Sequence, residues 1–258
     1  GMRKGLLLFL LLIAIPIAVG EQQVVINSRD WRDVISGLSY AHLKGIDVHY
    51  VAEETQGIQL VKDVLNPSLK DTVLIESSGK VFIAGYEKKL SDAGFKVQKL
   101  SYANPHDTNI KLAEKLVKDS RIDSFVVINE NFPYNSIVVA TYAIISKSYI
   151  ILVDDSNADA VYAFLSKNGK KVLLYGRMTR QIEERLSSIK AEVINTGDKF
   201  NDNIKIVSKF LEKKEAGQIF FTNGEFIEPG LFNNEFPVLL IGTQNIPANV
   251  MEFLYKSG

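Results

Sequence analysis

Three histidines, at 42, 49 and 106, are the only side chains here that titrate near neutrality when unperturbed, and the chain has no cysteine. The missing thiols exclude cysteine nucleophiles, a disulfide framework and cysteine-liganded zinc or iron–sulfur sites. So few histidines leave little material for a histidine-rich metal centre. Hydroxyls occur at Ser28-Arg29-Asp30 and Ser77-Ser78, but no G-x-S-x-G elbow presents one as a nucleophile. Glu76-Ser77-Ser78-Gly79-Lys80 lacks the G-x-x-x-x-G-K-[ST] spacing of a phosphate cradle, and no G-x-G-x-x-G marks a dinucleotide site. A catalytic triad is assembled from this inventory only by assumption. No catalytic residue, metal or cofactor is expected.

Binding chemistry is better supplied. Asn129, Asn131, Tyr134 and Asn135 lie in the polar segment Asn129-Glu130-Asn131-Phe132-Pro133-Tyr134-Asn135-Ser136, between an apolar run and an amphipathic one. One reading is a ligand loop at the carboxyl end of a strand. The other is turn chemistry, with Asn135 or Ser136 as the helix N-cap. Asn27 and Asn223 recur at corresponding positions, which favours a structural role repeated along the chain. Asp154-Asp155-Ser156 offers ligands for a divalent cation, or else caps for a helix starting at Ala158. Gly176-Arg177-Met178-Thr179-Arg180 places two arginines where backbone N–H groups and guanidinium groups can meet an anion, or forms a solvent-facing turn. The lysine runs 88–89, 170–171 and 213–214 read as solvated helix ends or as contributors to a composite basic groove.

These segments are positioned by a regular alternation. Short Val/Ile/Leu-rich runs, such as 124–129, 149–153 and 171–175, are separated by single amphipathic stretches, such as 31–43, 109–118, 136–146, 158–167, 180–189 and 203–213. Apolar strands separated by helices predict parallel sheets covered on both faces, an α/β fold with right-handed crossovers. His106 falls in the loop before the 109–118 helix.

The alternation also repeats. Asn109-Ile-Lys-Leu-Ala-Glu-Lys-Leu returns 94 residues later as Asn203-Ile-Lys-Ile-Val-Ser-Lys-Phe, and Val126-Val-Ile-Asn-Glu-Asn-Phe returns at the same offset as Phe220-Phe-Thr-Asn-Gly-Glu-Phe. Val161-Tyr-Ala-Phe-Leu-Ser-Lys-Asn-Gly matches Val250-Met-Glu-Phe-Leu-Tyr-Lys-Ser-Gly 89 residues on, and Val25-Ile26-Asn27 precedes Val127-Ile128-Asn129 by 102. A period this long marks duplicated domains rather than solenoid steps. The boundaries expected are repeat one at 21–123, repeat two at 124–217 and a partial repeat three at 218–258. The third copy stops at Gly258, matched to Gly169, before the strand that follows in copy two. It reads as truncated, or as completed by another segment.

Ahead of the repeats, Arg3 and Lys4 precede an apolar run from Leu6 to Val19 that ends in Ala18-Val19-Gly20. This is the pattern of a secretory signal peptide over 1–20, or of an uncleaved N-terminal anchor, the run being short of the roughly 20 residues of a spanning helix. Gly1 before Met2 reads as a tag remnant. The 30 basic and 30 acidic residues balance, becoming 28 against 30 once Arg3 and Lys4 leave, a net charge of −2. That balance argues against a nucleic-acid binder.

The stretch Phe125 to Gly176 resembles the cell-wall-binding repeat 2 family, found in tandem, usually in threes, in surface proteins. The resemblance rests on Asn131-Phe132-Pro133, on the helix Ile137–Ile145 with Ala140 and Ala143, on the apolar strand Ile150-Ile151-Leu152-Val153 and on Gly176. Gly197-Asp198-Lys199-Phe200 echoes a second family motif, G-x-D-R-Y-x-T-A. Tyr134 stands where the family has an acid, Lys199 where it has arginine, and the first copy offers only Asn104-Pro105-His106. A composition rich in Lys, Ile and Val fits an archaeal or divergent prokaryotic member. The resemblance implies tandem Rossmann-like or Toprim-like three-layer units packed with pseudo-threefold symmetry. It implies a non-catalytic, secreted or surface-held module that binds an anionic envelope polymer or glycan. Its partners would include other surface proteins or a second copy. Asn129, Asn131, Tyr134, Asn135, Arg177, Arg180, Asp198 and Lys199 are the expected ligand-binding residues. The alternatives are an exported hydrolase of an envelope polymer or phosphoester, and a surface scaffold.

Overall fold

A computed structural model describes residues 22–227, 229–232 and 235–257. The expected signal segment, 1–20, lies outside them. The elements run β1 (Gln22–Ile26), α1 (Trp31–Lys44), β2 (Asp47–Tyr50), α2 (Glu54–Gln59), β3 (Asp71–Ser77), α3 (Tyr86–Asp92), β4 (Lys96–Tyr102) and α4 (Pro105–Ser120). They continue β5 (Ser124–Asn129), α5 (Tyr134–Ile145), β6 (Ser148–Val153), α6 (Ala158–Asn168), β7 (Lys171–Tyr175), α7 (Arg180–Leu186), β8 (Ala191–Ile194) and α8 (Lys199–Lys213). Then come β9 (Phe220–Thr222), β10 (Val238–Leu240) and α9 (Ala248–Ser257).

All strand pairs among the described residues are parallel. The first sheet has the order β2-β1-β3-β4, the second β6-β5-β7-β8, and β10 pairs with β9 in a third. In the two four-stranded sheets the unit's first strand is therefore internal and its second lies at an edge. Internal strands bury both faces, which is why Val24 to Ile26 and Phe125 to Ile128 are apolar without alternation. The result is a mixed α/β fold of repeated sheet-and-helix units in a Rossmann-like arrangement.

One apolar core joins the units. It runs from Val24 and Ile75 in the first sheet, through Leu38 of α1 and Leu112 and Leu116 of α4, to Ile150 and Leu152 of β6, and on to Ile206 of α8 and Leu240 of β10. A second cluster lies on the other face of the first sheet, under α3, with Val25, Leu74, Tyr86 and Leu90.

The repeated asparagine of the two matching helices closes each sheet edge. Asn109 of α4 donates from Nδ2 to the Ile150 carbonyl at 2.9 Å and accepts at Oδ1 from the Leu152 N–H at 3.0 Å. Asn203 of α8 does the same to β10, donating to Val238 O at 2.9 Å and accepting from Leu240 N at 2.6 Å. A side-chain amide carries one donor and one acceptor in the geometry of a neighbouring strand, so it satisfies an edge that would otherwise bury unpaired backbone groups. Both asparagines are fully buried.

Several expected boundaries shift for local reasons. α4 begins at Pro105 rather than Asn109, because Asn104 accepts from Asp107 N at 3.0 Å as its N-cap and Pro105 suits the first turn. His106 is thus helical, not in a loop. α5 begins at Tyr134, with Pro133 already in helical conformation, so Asn135 and Ser136 sit inside the first turn and neither is the cap. Asn157, rather than Asp155 or Ser156, precedes α6. α8 starts at Lys199 under an Asp198 cap, four residues ahead of Asn203, and α7 stops at Leu186.

Candidate functional site

The carboxyl ends of β1, β5 and β6 converge with the first turn of α4, and their charged residues form a continuous chain. Lys80 Nζ lies 2.8 Å from Asp30 Oδ2. Arg32 grips Asp30 with two bonds, Nε to Oδ1 at 2.9 Å and Nη2 to Oδ2 at 2.8 Å, and reaches Glu130 Oε1 with Nη1 at 3.1 Å. The other oxygen of Glu130, Oε2, lies 2.7 Å from His106 Nε2, which is 3.8 Å from Asp154 Oδ2. Cations and carboxylates alternate, and the Asp30 and Glu130 side chains are only 8% and 11% exposed.

The surroundings set the charge states. A hydrogen bond to Glu130 raises the His106 pKa, more than burial lowers it, with the Glu130 and Asp154 charges adding to the rise. Burial pushes Asp154 up, but bonds from Ser156 and the Asn157 amide hold it below the usual carboxylate range. Burial likewise opposes ionisation of Asp30, and the bonds from Arg32 and Lys80 overcome it, leaving its carboxyl far below the ordinary value. Beneath this chain Asp33 is fully buried and accepts from Ser28 Oγ and Ser77 Oγ, both at 2.7 Å, so its pKa is raised by burial against those bonds.

Asp30 yields a pH prediction with a definite sign. Its folded pKa is depressed, so its contribution to stability is fully present above the unfolded value of about 3.9 and is lost as pH falls below it. Urea unfolding at pH 7 and at pH 3 should show Asp30→Asn losing about 1 kcal/mol less than the native chain on acidification. Equal losses in both proteins would contradict the assignment.

The same cluster does not recur at the next junction. By the 94-residue offset, Phe200 and Gly224 take the places of His106 and Glu130, and, with the asparagine clamp aligning Leu240 on Leu152, Gly242 takes the place of Asp154. There Tyr134 packs so close that a Cβ on Gly224 would stand 2.7 Å from Tyr134 Cβ, and Gly224 has φ +82°. The Lys199 ammonium lies 5.2 Å from the Tyr134 ring centroid and 5.1 Å from that of Phe200.

The expected ligand residues therefore divide. Tyr134 and Lys199 meet at the second junction, where Asp198 caps α8 by accepting from Phe200 N and Asn201 N. Asn129 is buried, donates to the Arg177 carbonyl at 3.2 Å and accepts from Asn131 N at 3.0 Å, so it builds the turn. Asn135 is buried beside Gly176, its Nδ2 without a hydrogen-bond partner among the described residues. Asn131, Arg177 and Arg180 are exposed, Arg180 paired with Glu184 one turn along α7 at 2.6 Å. Asp30, Arg32, Glu130 and His106 escaped the sequence reading because their partners lie 98 and 24 residues apart.

A second feature lies at the opposite, amino ends of the second sheet. A cleft of about 700 Å³ is lined by Lys170, Lys171, Lys190, Lys209 and Lys213, with Glu192 and Glu212 as its acids. Its polar lining includes Tyr142 and the hydrogen-bonded hydroxyls of Ser124, Ser148 and Ser146. Lys170 pairs with Asp123 at 3.0 Å and Lys209 with Glu192 at 2.9 Å. Lys171, Lys190 and Lys213 make no ion pair among the described residues. Two of the lysine runs noted in the sequence thus meet at one groove.

No family model matches the sequence, and no curated protein matches it. Among solved structures, Cwp6 from Clostridium difficile superposes with a TM-score of 0.68 at 17% identity, covering 91% of this chain and 40% of that one. Cwp8 from Clostridium difficile gives 0.66 at 16%, covering 92% of this chain and 47% of that one. The chain spans less than half the length of either. Both come from a bacterium, so neither lends support to an archaeal origin. Across nearly all of its length, the chain shares its fold with a part of Cwp6 and of Cwp8.

Proposed function

We propose that the chain is an exported, non-catalytic module that binds the cell envelope through an anionic polymer or glycan. The observation that carries this reading is the lysine cleft. Five lysines and two glutamates line one groove, and three of the ammonium groups make no ion pair among the described residues and can take an anion. Uncommitted cations around a concave, hydroxyl-bearing lining attract and hold a repeating negative charge. The fold shared with Cwp6 and Cwp8 and the resemblance to cell-wall-binding repeats support the same reading. In it, residues 21–123, 124–217 and 218–258 are two complete copies and one partial copy of a unit built for pseudo-threefold packing. Residues 1–20 direct export and are cleaved or anchor the chain. Asn131, Tyr134, Arg177, Arg180 and Lys199 contribute further ligand contacts at the loops, and other surface proteins or a second copy meet the same surface.

A hydrolase reading has less support. His106, the histidine nearest to acidic groups, is engaged by Glu130, and no hydroxyl bonds to it among the described residues. A general base needs a free nitrogen within reach of the nucleophile it activates. Cosedimentation with native envelope fractions, with soluble sugars and phosphate assayed in the supernatant, separates the two readings. Retention without product release is expected. Release that scales with protein and with time would establish an enzyme.

A further inference from the structure

The charged junction between the first two units has a property that charge pairing alone does not require. One ligand atom from each of His106, Glu130 and Asp154 lies within 4.8 Å of the others, and His106 Nε2 stands 2.7 Å from Glu130 Oε2 and 3.8 Å from Asp154 Oδ2. They come from three elements, α4, the turn after β5 and the turn after β6. The outer oxygens are already occupied. Arg32 holds Glu130 Oε1 at 3.1 Å, while Asp154 Oδ1 accepts from Ser156 N at 2.8 Å, Ser156 Oγ at 2.7 Å and Asn157 N at 3.0 Å. Each carboxylate is thereby oriented with its inner oxygen toward the imidazole, as outer partners orient metal ligands.

We propose that His106, Glu130 and Asp154 hold one divalent transition-metal ion of the zinc class. Zinc–nitrogen and zinc–oxygen bonds of about 2.0–2.2 Å place tetrahedral ligand atoms roughly 3.3 Å apart. The observed separations from His106 Nε2, 2.7 Å to Glu130 and 3.8 Å to Asp154, bracket that value. One imidazole with two carboxylates suits zinc or manganese, whereas calcium takes six to eight oxygens. The ion takes the place of the proton between His106 and Glu130, and the two carboxylates balance its charge. Arg32 stays on the far oxygen, itself neutralised by Asp30.

The internal repeat gives an independent reason to see more than packing here. Phe200, Gly224 and Gly242 occupy the corresponding places at the second junction, where the helix, strand and edge clamp are the same. The fold therefore closes without a His–Glu–Asp set, and these residues are surplus to its architecture. The three side chains are only part-buried and adjoin two clefts, one lined by His106, Ser156 and Asn157, the other by Arg32, Lys80 and Glu130. An ion there is reachable and keeps open coordination positions. It ties the last helix of the first unit to two loops of the second. The proposal is independent of the lysine cleft, which lies at the opposite end of the second sheet.

Isothermal titration of the chelator-stripped full chain with zinc chloride tests it. One equivalent should bind, and Glu130→Gln and Asp154→Asn should each weaken binding at least about tenfold, the scale of lost ligand-shell interactions. His49→Ala should bind as the native chain does, and calcium should not compete. Far-UV circular dichroism establishes that each variant is folded. Cobalt(II) provides a second readout that needs no destabilised variant. The native chain should give the visible absorption of a low-symmetry nitrogen–oxygen site, displaced by one equivalent of zinc. No saturable binding to the native chain, or binding that folded Asp154→Asn retains in full, would overturn the proposal.

Discussion

Asn109→Ala is expected to destabilise the chain by about 3–5 kcal/mol, measured by urea unfolding at neutral pH. The amide of Asn109 also donates to Ser36 Oγ at 2.9 Å and to Tyr149 Oη at 3.3 Å, within a fully buried site. Its loss leaves the Ile150 carbonyl and the Leu152 N–H without their partner at the edge of β6. Each unpaired buried group costs about 1–3 kcal/mol, and the cavity adds to it. Asn109→Asp should also be destabilising, because a carboxylate still accepts from Leu152 N–H but opposes the Ile150 carbonyl with a second acceptor. The equivalent change, Asn203→Ala, frees the edge of β10, whose sheet has two strands among the described residues. Its effect should appear as faster hydrogen exchange at Leu240 rather than as loss of the whole fold. A loss below 1 kcal/mol for Asn109→Ala would contradict the edge-closing role assigned to its amide.

The combined change Lys171→Glu, Lys190→Glu and Lys213→Glu is expected to lower retention on native envelope fractions by more than about tenfold, a difference of 1.4 kcal/mol or more. These are the cleft lysines without an ion pair, so the replacement removes three uncommitted cations and adds three anions while breaking no ion pair among the described residues. Stability should change little, since surface charges away from partners contribute within about 0.5 kcal/mol each. As a control at another surface, Lys88→Glu and Lys89→Glu alter a lysine run on α3 in the first unit, with loss of the exposed Lys88–Asp92 pair, and should leave retention unchanged. Unaltered retention in the triple variant would remove the cleft from the account.

Much of this architecture is legible in the sequence. Apolar runs such as Val126-Val127-Ile128 identified internal parallel strands because burial on both faces suppresses alternation. The repeat around Asn109 and Asn203 marked equivalent helices, although the work of the asparagine, satisfying a strand some forty residues away in sequence, is a tertiary fact. Helix starts were displaced wherever a cap lay upstream of the first periodic apolar residue, as with Asn104 ahead of Ile110 and Asp198 ahead of Ile204. The site fared differently. Tyr134 and Lys199 do meet, but Asn129 proved to be part of the turn, because an asparagine after a strand serves backbone and ligand with the same chemistry. The chain from Lys80 to Asp154 joins residues from both units, so no local spacing announces it. The lysine runs at 170–171 and 213–214 carried a visible signal, yet only the packing of α8 against α5 within the second unit brings them around one groove with Lys190.

The reading of this chain as an anion-directed envelope binder is tested most directly by cosedimentation of the native protein with native envelope fractions across a salt series. Charge attraction between solvated groups weakens as the Debye length shrinks from about 10 Å at 0.1 M to about 3 Å at 1 M salt. The account predicts strong retention at low ionic strength that falls away by 1 M salt and returns on dilution. Absence of retention at low salt, or retention unchanged by salt, would contradict it.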